Sequence, residues 1–251
     1  MATVILLRHA RSNANGSGVL AGRSPAVGLD ETGLKQAEGL VRRLAGVPLA
    51  AVACSPLLRC EQTLAPLLGE RGLTASTEAD LAEVDYGDWT GRELKGLVKE
   101  PLWRVVQQHP SAAVFPGGEG LATVQSRAVA AIRAHDRRIT AEHGANAIWL
   151  ACSHGDVIKA VLADALGLHL DGFQRIVVDP CSVSVVHYTE ARPFVLRVND
   201  NGGDLSGIIP PEKPAGDAHK DGDSPSPPDQ SDAMIGGSTG QPAGQHPTAE
   251  K

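Results

Sequence analysis

The sequence predicts an α/β protein, a three-layer sandwich with a mostly parallel central sheet and helices on both faces. Short apolar runs at residues 4–7, 50–54 and 147–152 are typical of strands buried on both faces. Segments of helical period lie between these runs, so strands and helices alternate along the chain. Because crossovers keep such strands parallel, their carboxyl ends meet at one edge of the sheet, where open α/β sheets bind ligands.

The first predicted strand, residues 4–7, runs directly into Arg8 and His9. A guanidinium can bind an oxyanion through two parallel hydrogen bonds, and an imidazole can act as a nucleophile or carry a proton. A cation and an imidazole are an unusual end for a buried strand and predict a functional site. A surface pair after a strand is the alternative.

The next helix is predicted over residues 34–44, with Asp30 or Thr32 as its cap. Its buried face is expected to consist of Leu34, Ala37, Leu40, Val41 and Leu44. Together with the strand at 50–54 this helix completes the first crossover.

A second helix is predicted over residues 57–71, with Ser55 as its N-cap and Arg59 near the end of the preceding strand. Residues 73–77 could add an edge strand. Because Arg59 lies near the carboxyl end of a parallel strand, it would reach the same sheet edge as Arg8.

The second half of the chain repeats the pattern of the opening. Two short helical patterns in residues 92–118 indicate an insertion over the sheet edge, at about residues 92–120, and a long helix is predicted over 121–143. The strand at 147–152 leads into Ser153-His154-Gly155 and a further helix, whose N-terminal amides can face an anion.

The chain is expected to close with an antiparallel hairpin over residues 181–188 and 193–198. His135 and His143 are expected to be exposed and uninvolved. They lie eight residues apart and make no His-x-x-x-His pair for zinc.

Several of these residues stand in motifs that resemble the histidine phosphatase superfamily, relatives of the cofactor-dependent phosphoglycerate mutases. The opening Arg8-His9-Ala10-x-Ser-x-x-Asn15 is similar to that family's Arg-His-Gly/Ala-x-Ser/Thr-x-x-Asn, with alanine in place of the commoner glycine. Ser55 to Thr63 follows Ser-x-x-x-Arg-x-x-x-Thr, and residues 81–91 follow Leu-x-Glu-x-x-x-Gly-x-Trp-x-Gly. The resemblance covers roughly residues 3–198, and its motifs stand in the family's order.

The resemblance implies a phosphoglycerate mutase-like fold and a phosphomonoester hydrolase that works through a phosphohistidine, with no cofactor and no metal. The implied catalytic residues are His9, Glu83 and His154, and the implied phosphate-binding residues are Arg8, Asn15, Arg59 and Gly155. In this scheme His9 attacks phosphorus, Glu83 protonates the leaving alcohol and then activates water, and His154 donates to a phosphoryl oxygen. Asp85 is the nearby rival for the acid.

Two other functions remain open at this point. A phosphomutase would return the phosphoryl group to another hydroxyl. Phosphoglycerate mutases typically carry Glu-Arg-His-Tyr-Gly at the acid, and the segment from Glu83 to Gly87 lacks the Arg-His, which favours hydrolysis. A catalytically inactive phospholigand-binding module is the third alternative, and the presence of every expected catalytic residue disfavours it. Residues 92–120 would select the substrate, a small phosphorylated molecule that the sequence does not identify.

Composition predicts two parts, a catalytic domain over residues 1–200 and a disordered acidic tail rich in Pro, Gly and Ser over 201–251. Eight acids and three bases from Asn201 onward account for most of the net charge of −6, so the first part is nearly neutral and no nucleic-acid partner is expected. No apolar run is long enough to span a membrane, and no secretory signal is visible. A cytoplasmic location is the default, and the oligomeric state, with a homodimer among the alternatives, is left open.

Overall fold

A computed structural model describes residues 1–203, in which six strands form one sheet in the order β3-β2-β4-β1-β5-β6. The strands are β1 (Thr3–Arg8), β2 (Leu49–Cys54), β3 (Ser76–Thr77), β4 (Ile148–Ser153), β5 (Val183–His187) and β6 (Phe194–Asp200). The four strands β1 to β4 pair in parallel, and β5 and β6 are added antiparallel at one edge. The predicted mostly parallel sheet is therefore confirmed.

Helices cover both faces of the sheet. They are α1 (Asn13–Ser17), α2 (Glu31–Arg43), α3 (Leu58–Arg71), α4 (Leu94–Leu97), α5 (Pro101–Gln108), α6 (Leu121–His143) and α7 (Gly155–Ala165). Short 3₁₀ turns lie at Ala79–Leu81, Gly87–Trp89, Pro110–Ala112 and Leu170–Arg175. The helices α6 and α7 pack on one face, and α2 and α3 pack on the other, so the predicted three layers are confirmed.

The position of β1 explains why its residues 4–7 are all apolar. Val4 and Leu6 belong to the core under α6 and α7, whereas Ile5 and Leu7 belong to the core under α2 and α3. Successive side chains of a strand point to opposite faces, so a strand between two helical layers buries every residue. Burial of each such side chain stabilises the fold by about 1.5–3 kcal/mol.

The helix α2 has the predicted cap and buries Ala37 and Leu40 as predicted, but not Leu34. Asp30 accepts a hydrogen bond from Gly33 N at 2.8 Å, while Leu34, expected in the core, is 48% exposed. A Cβ on Gly33 would lie 1.9 Å from the carbonyl oxygen of Arg11, so this position faces the segment that follows β1. Leu34 is one residue, about 100°, further around the helix and points outward.

The predicted edge strand is shorter than expected, and the polar stretch after β1 is partly helical. Only Ser76 and Thr77 pair as β3, while residues 13–17 form a helical turn. Ser12 caps that turn, and its backbone N and hydroxyl both donate to Asn15 Oδ1. This capping box explains why a stretch that resembles a polar loop is helical.

The insertion before α6 packs through apolar side chains on the core beneath α6 and α7. Leu97, Val106 and Phe115 are fully buried there, and the ring of Trp103 stacks on Trp89 at 6.4 Å. The two predicted helical patterns in residues 92–118 correspond to α4 and α5.

The expectation that His135 is exposed is wrong. Its Nε2 lies 2.9 Å from Glu78 Oε2, and its ring stacks on Trp149 with the centroids 5.5 Å apart. The position falls at the border of the α6 apolar face, where a side chain can still reach the sheet. His143, at the end of α6, is exposed as expected.

The predicted hairpin is present as β5 and β6. The predicted acidic tail, apart from its first three residues, lies outside the described residues. No helix within residues 1–203 combines the length and the apolar character needed to cross a bilayer.

Candidate active site

The register of β1 and β4 brings two histidines together. Arg8, the last residue of β1, is paired with Ser153, the last residue of β4, and His9 N donates to Ser153 O at 2.9 Å. His9 and His154 therefore leave adjacent strands at the same level. Their ring centroids are 5.2 Å apart, and both side chains are buried.

The contacts of His9 fix its neutral tautomer. Its Nδ1 lies 2.7 Å from the carbonyl oxygen of Ala10, and a carbonyl can only accept, so Nδ1 carries the proton. The lone pair is then on Nε2. Burial, together with Arg59 and Arg8, lowers the pKa of His9 well below its usual 6.5, which keeps that lone pair available at neutral pH.

The hydroxyl of Ser55 lies within hydrogen-bond distance of His154, 2.7 Å from its Nε2. The expectation that Ser55 caps a helix is wrong: α3 begins at Leu58, Leu57 is the capping position, and no side chain caps the helix. Ser55 follows the end of β2, which pairs with β4, so it meets the residue after β4 instead. His154 Nδ1 is buried without a hydrogen-bond partner among the described residues, and burial with nearby Arg59 lowers its pKa.

Two buried arginines flank the histidines. Arg8 Nη1 donates to Val178 O at 2.7 Å, and Arg59 Nη2 donates to Gly22 O at 2.8 Å. Within residues 1–203, Arg59 Nε and Nη1 are buried and donate to nothing. Burial lowers the pKa of Arg8 to about 10, although nearby acidic groups oppose the shift. Such buried cations are costly unless an anion neutralises them, so this arrangement can bind an oxyanion.

Glu83 supplies a buried carboxyl to the same cluster. Burial, with the Asp156 carboxylate next in importance, raises its pKa to about 7, against the opposing effects of Arg59, the Val84 N–H and Arg8. Its Oε1 accepts from Val84 N at 3.0 Å. A carboxyl with a pKa near neutrality can both donate and accept a proton, as general acid–base catalysis requires.

The sequence profile of the histidine phosphatase superfamily (branch 1) matches residues 4–201. The chain belongs to this superfamily. The family resemblance is thereby confirmed, and so is the expectation of a histidine phosphatase enzyme.

Individual relatives agree with this assignment. This histidine phosphatase is 30% identical over 202 residues to phosphoserine phosphatase 1 of Hydrogenobacter thermophilus, covering 79% of the chain and 92% of the relative. It is 28% identical over 215 residues to a Yersinia pestis (strain Pestoides F) protein named probable phosphoglycerate mutase, covering 84% and 97%. Among solved structures, Bacillus stearothermophilus YhfR superposes with a TM-score of 0.72 at 26% identity, covering 80% and 98%.

Two of the predicted phosphate-binding residues of this histidine phosphatase lie in the first turns of helices. Asn15 uses its amide oxygen in the capping box with Ser12. Gly155 is the buried first residue of α7, and His154 is that helix's N-cap. Their roles toward phosphate stay predictions.

The sequence analysis did not predict the role of Asp156, a buried acid whose charge raises the pKa of Glu83. Asp156, in the first turn of α7, accepts from the Tyr86 hydroxyl at 2.8 Å, and its Oδ1 lies 3.3 Å from Lys159 Nζ. The only sequence signal was a pair of charged residues, Asp156 and Lys159, near the start of a mostly apolar helix. Asp85, the rival acid, lies at the surface, where its Oδ2 is 4.0 Å from Arg23 Nη1.

Across residues 1–203 the histidine, cysteine, aspartate and glutamate side chains form no group of three or more that could hold a metal ion.

Proposed function

We propose that this protein is a phosphomonoester hydrolase that acts through a phosphohistidine at His9 on a small phosphorylated metabolite. The observation that carries the proposal is the buried Arg59, whose Nε and Nη1 find no acceptor in the described chain beside an imidazole with a free Nε2. A phosphoryl group would supply both the acceptors and the electrophile.

In the first step His9 Nε2 attacks phosphorus, and the bond between phosphorus and the ester oxygen breaks. Glu83, protonated, gives its proton to the departing oxygen, so an alcohol leaves. Arg8, Arg59 and His154 Nδ1 donate to the non-bridging oxygens, where charge is spread in the transition state.

In the second step the Glu83 carboxylate takes a proton from water. The water oxygen attacks phosphorus and the bond to His9 Nε2 breaks, which releases inorganic phosphate and restores the imidazole. The acid is then protonated again for the next turnover. The raised pKa of Glu83, about 7, suits a group that must hold and release a proton in the same cycle.

Hydrolysis is favoured over phosphoryl return to a second hydroxyl by the segment from Glu83 to Gly87. It reads Glu-Val-Asp-Tyr-Gly, without the Arg-His that phosphoglycerate mutases typically carry there. We assign the reaction to residues 1–200 and to the cytoplasm. The four buried cysteines, none in a disulfide, fit a reducing compartment.

The test is transfer of label from a ³²P-phosphoester to the protein. Wild-type protein should take up acid-labile label within one turnover, His9→Ala should take up none, and the matched control His143→Ala, at an exposed position of α6, should label like wild type. Persistent label in His9→Ala would move the nucleophile elsewhere. Inorganic phosphate released in step with alcohol supports hydrolysis, whereas phosphoryl transfer to added alcohols in excess of release would favour the mutase.

A further inference from the structure

The loop that carries Glu83 has no helix or strand of its own at that residue, and two arginines hold its backbone. The carbonyl oxygen of Glu83 accepts from Arg23 Nε at 2.9 Å and from Arg127 Nη2 at 3.3 Å. Both guanidiniums also bind one carboxylate oxygen of Glu119, at 2.8 Å and 2.7 Å. We call Arg23, Glu119 and Arg127 the arginine clamp.

Glu119 is joined directly to the loop that carries Glu83 and Asp85, which we call the acid loop. Its Oε1 accepts from Asp85 N, and its own N donates to Asp85 O, each at 2.9 Å. A Cβ on Gly118 would lie 2.2 Å from Asp85 O, so only glycine allows the two backbones to approach this closely. The acid loop and the loop before α6 therefore form one unit.

Arg127 connects this unit to a rigid element. It lies on α6, and it holds Glu119 through two parallel contacts, Nε to Oε2 at 3.1 Å and Nη2 to Oε1 at 2.7 Å. Its remaining Nη1 donates to Asp80 O at 2.6 Å. Both side chains of the pair are mostly buried, and such two-pronged geometry fixes orientation as well as distance.

Arg23 connects the acid loop to phosphate binding. The preceding residue, Gly22, accepts the hydrogen bond from Arg59 through its carbonyl. Gly22 has a φ of +50°, and a Cβ there would lie 2.7 Å from Thr90 Oγ1. Two consecutive residues thus hold Arg59 and the backbone of Glu83.

We propose that Arg127 and Glu119, with Arg23, are positioning residues that fix the Glu83 carboxyl relative to the phosphate-binding arginines and so set the rate of proton delivery to the leaving group. This inference rests on the proposed function, because it requires Glu83 to be the acid. A displacement of about 1 Å in a catalytic group can lower a rate on the order of 10²-fold.

The experiment measures single-turnover phosphorylation by an alkyl phosphate and by p-nitrophenyl phosphate, whose leaving group needs no proton. Arg127→Gln should lower the alkyl rate on the order of 10²-fold and the nitrophenyl rate only a few-fold. Arg127→Lys, which keeps a cation beside Glu119, should recover part of the loss. The inhibition constant of inorganic phosphate should stay within about two-fold of wild type, because Arg8 and Arg59 are retained.

The matched control is Arg138→Gln, on the exposed side of the same helix, where Arg138 pairs with Glu142; its rates should equal those of wild type. Glu119→Gln, which keeps the shape of the side chain, covers the case that Arg127→Gln does not fold. Equal losses on both substrates, or no loss, would overturn the positioning role. If Glu83→Gln loses the same rate on both substrates, the proposal that Glu83 is the acid fails as well. If Glu83→Gln loses more rate on the alkyl phosphate and the variants of the arginine clamp do not, only the inference about the clamp fails.

Discussion

His9 and His154 directly follow two strands of the sheet, whereas Glu83 lies on an irregular loop between two 3₁₀ turns. The histidines are positioned by backbone pairing, since the register of β1 and β4 places them side by side. The backbone of the loop that carries Glu83, the proposed acid, is instead held by side chains from other segments, at Arg23, Glu119 and Arg127. The position of the proposed nucleophile therefore follows from the fold itself, whereas the position of the proposed acid depends on a few polar contacts that substitution can remove.

The largest effect on the reaction is expected for Glu83→Gln. The amide keeps the shape of the carboxyl but cannot deliver a proton, and loss of general acid catalysis typically costs on the order of 10²–10⁴ in rate. Single-turnover phosphorylation by an alkyl phosphate should fall by that factor, and phosphorylation by p-nitrophenyl phosphate should fall much less. If Asp85→Asn instead showed this difference between leaving groups, the acid would be Asp85.

An intermediate effect is expected for Arg59→Ala, which breaks the phosphate-binding side of the site and leaves both histidines in register. Hydrogen bonds to charged groups are worth about 1.5–3 kcal/mol, which corresponds to roughly 10- to 100-fold in the inhibition constants of phosphate and vanadate. The exposed substitution Arg138→Ala is the control. Unchanged constants in Arg59→Ala would exclude this side chain from the pocket.

The smallest effect is a shift in pH dependence. The pKa of Glu83 is raised to about 7. Because a general acid must carry its proton to act, kcat/KM for an alkyl phosphate should fall as pH rises through about 7. The Asp156 carboxylate contributes to that shift, so Asp156→Asn should move the falling limb to lower pH. A limb that stays in place, in a variant with the melting temperature of wild type, would show that Asp156 does not act on the acid.

The same shift has a consequence for stability with a definite sign. Between the usual value of 4.5 and about 7, the folded state carries the Glu83 proton and the unfolded state has lost it, so this group's contribution to stability falls as pH rises across that window.

The placement of His9 and His154 side by side could be predicted from the sequence, for a physical reason. Each buried strand is a continuous apolar run, and the polar residues that interrupt it, Arg8-His9 and Ser153-His154, are visible at its end. Parallel topology then places those ends on one edge without further information. The long helix α6 was also predicted from the sequence, and its observed boundaries coincide with the predicted ones.

Features that depend on neighbours distant in sequence could not be predicted in this way. Ser55 had the residue type of a helix cap, and only the adjacency of β2 and β4 shows that it reaches His154 instead. Leu34 fits the apolar period of α2 but is turned outward by the contact of Gly33 with Arg11. The partners of Glu83 come from residues 23, 119 and 127, and no local pattern links these positions.

The pairing of β1 with β4 also has a meaning for synthesis. His9 is synthesised long before Ser153, where its companion strand ends, so the imidazoles of His9 and His154 cannot meet until β4 has left the ribosome. Contacts between such distant segments form late and slowly, because a long loop must close first. A nascent or truncated chain that ends before β4 therefore carries His9, the proposed nucleophile, without the rest of the candidate site.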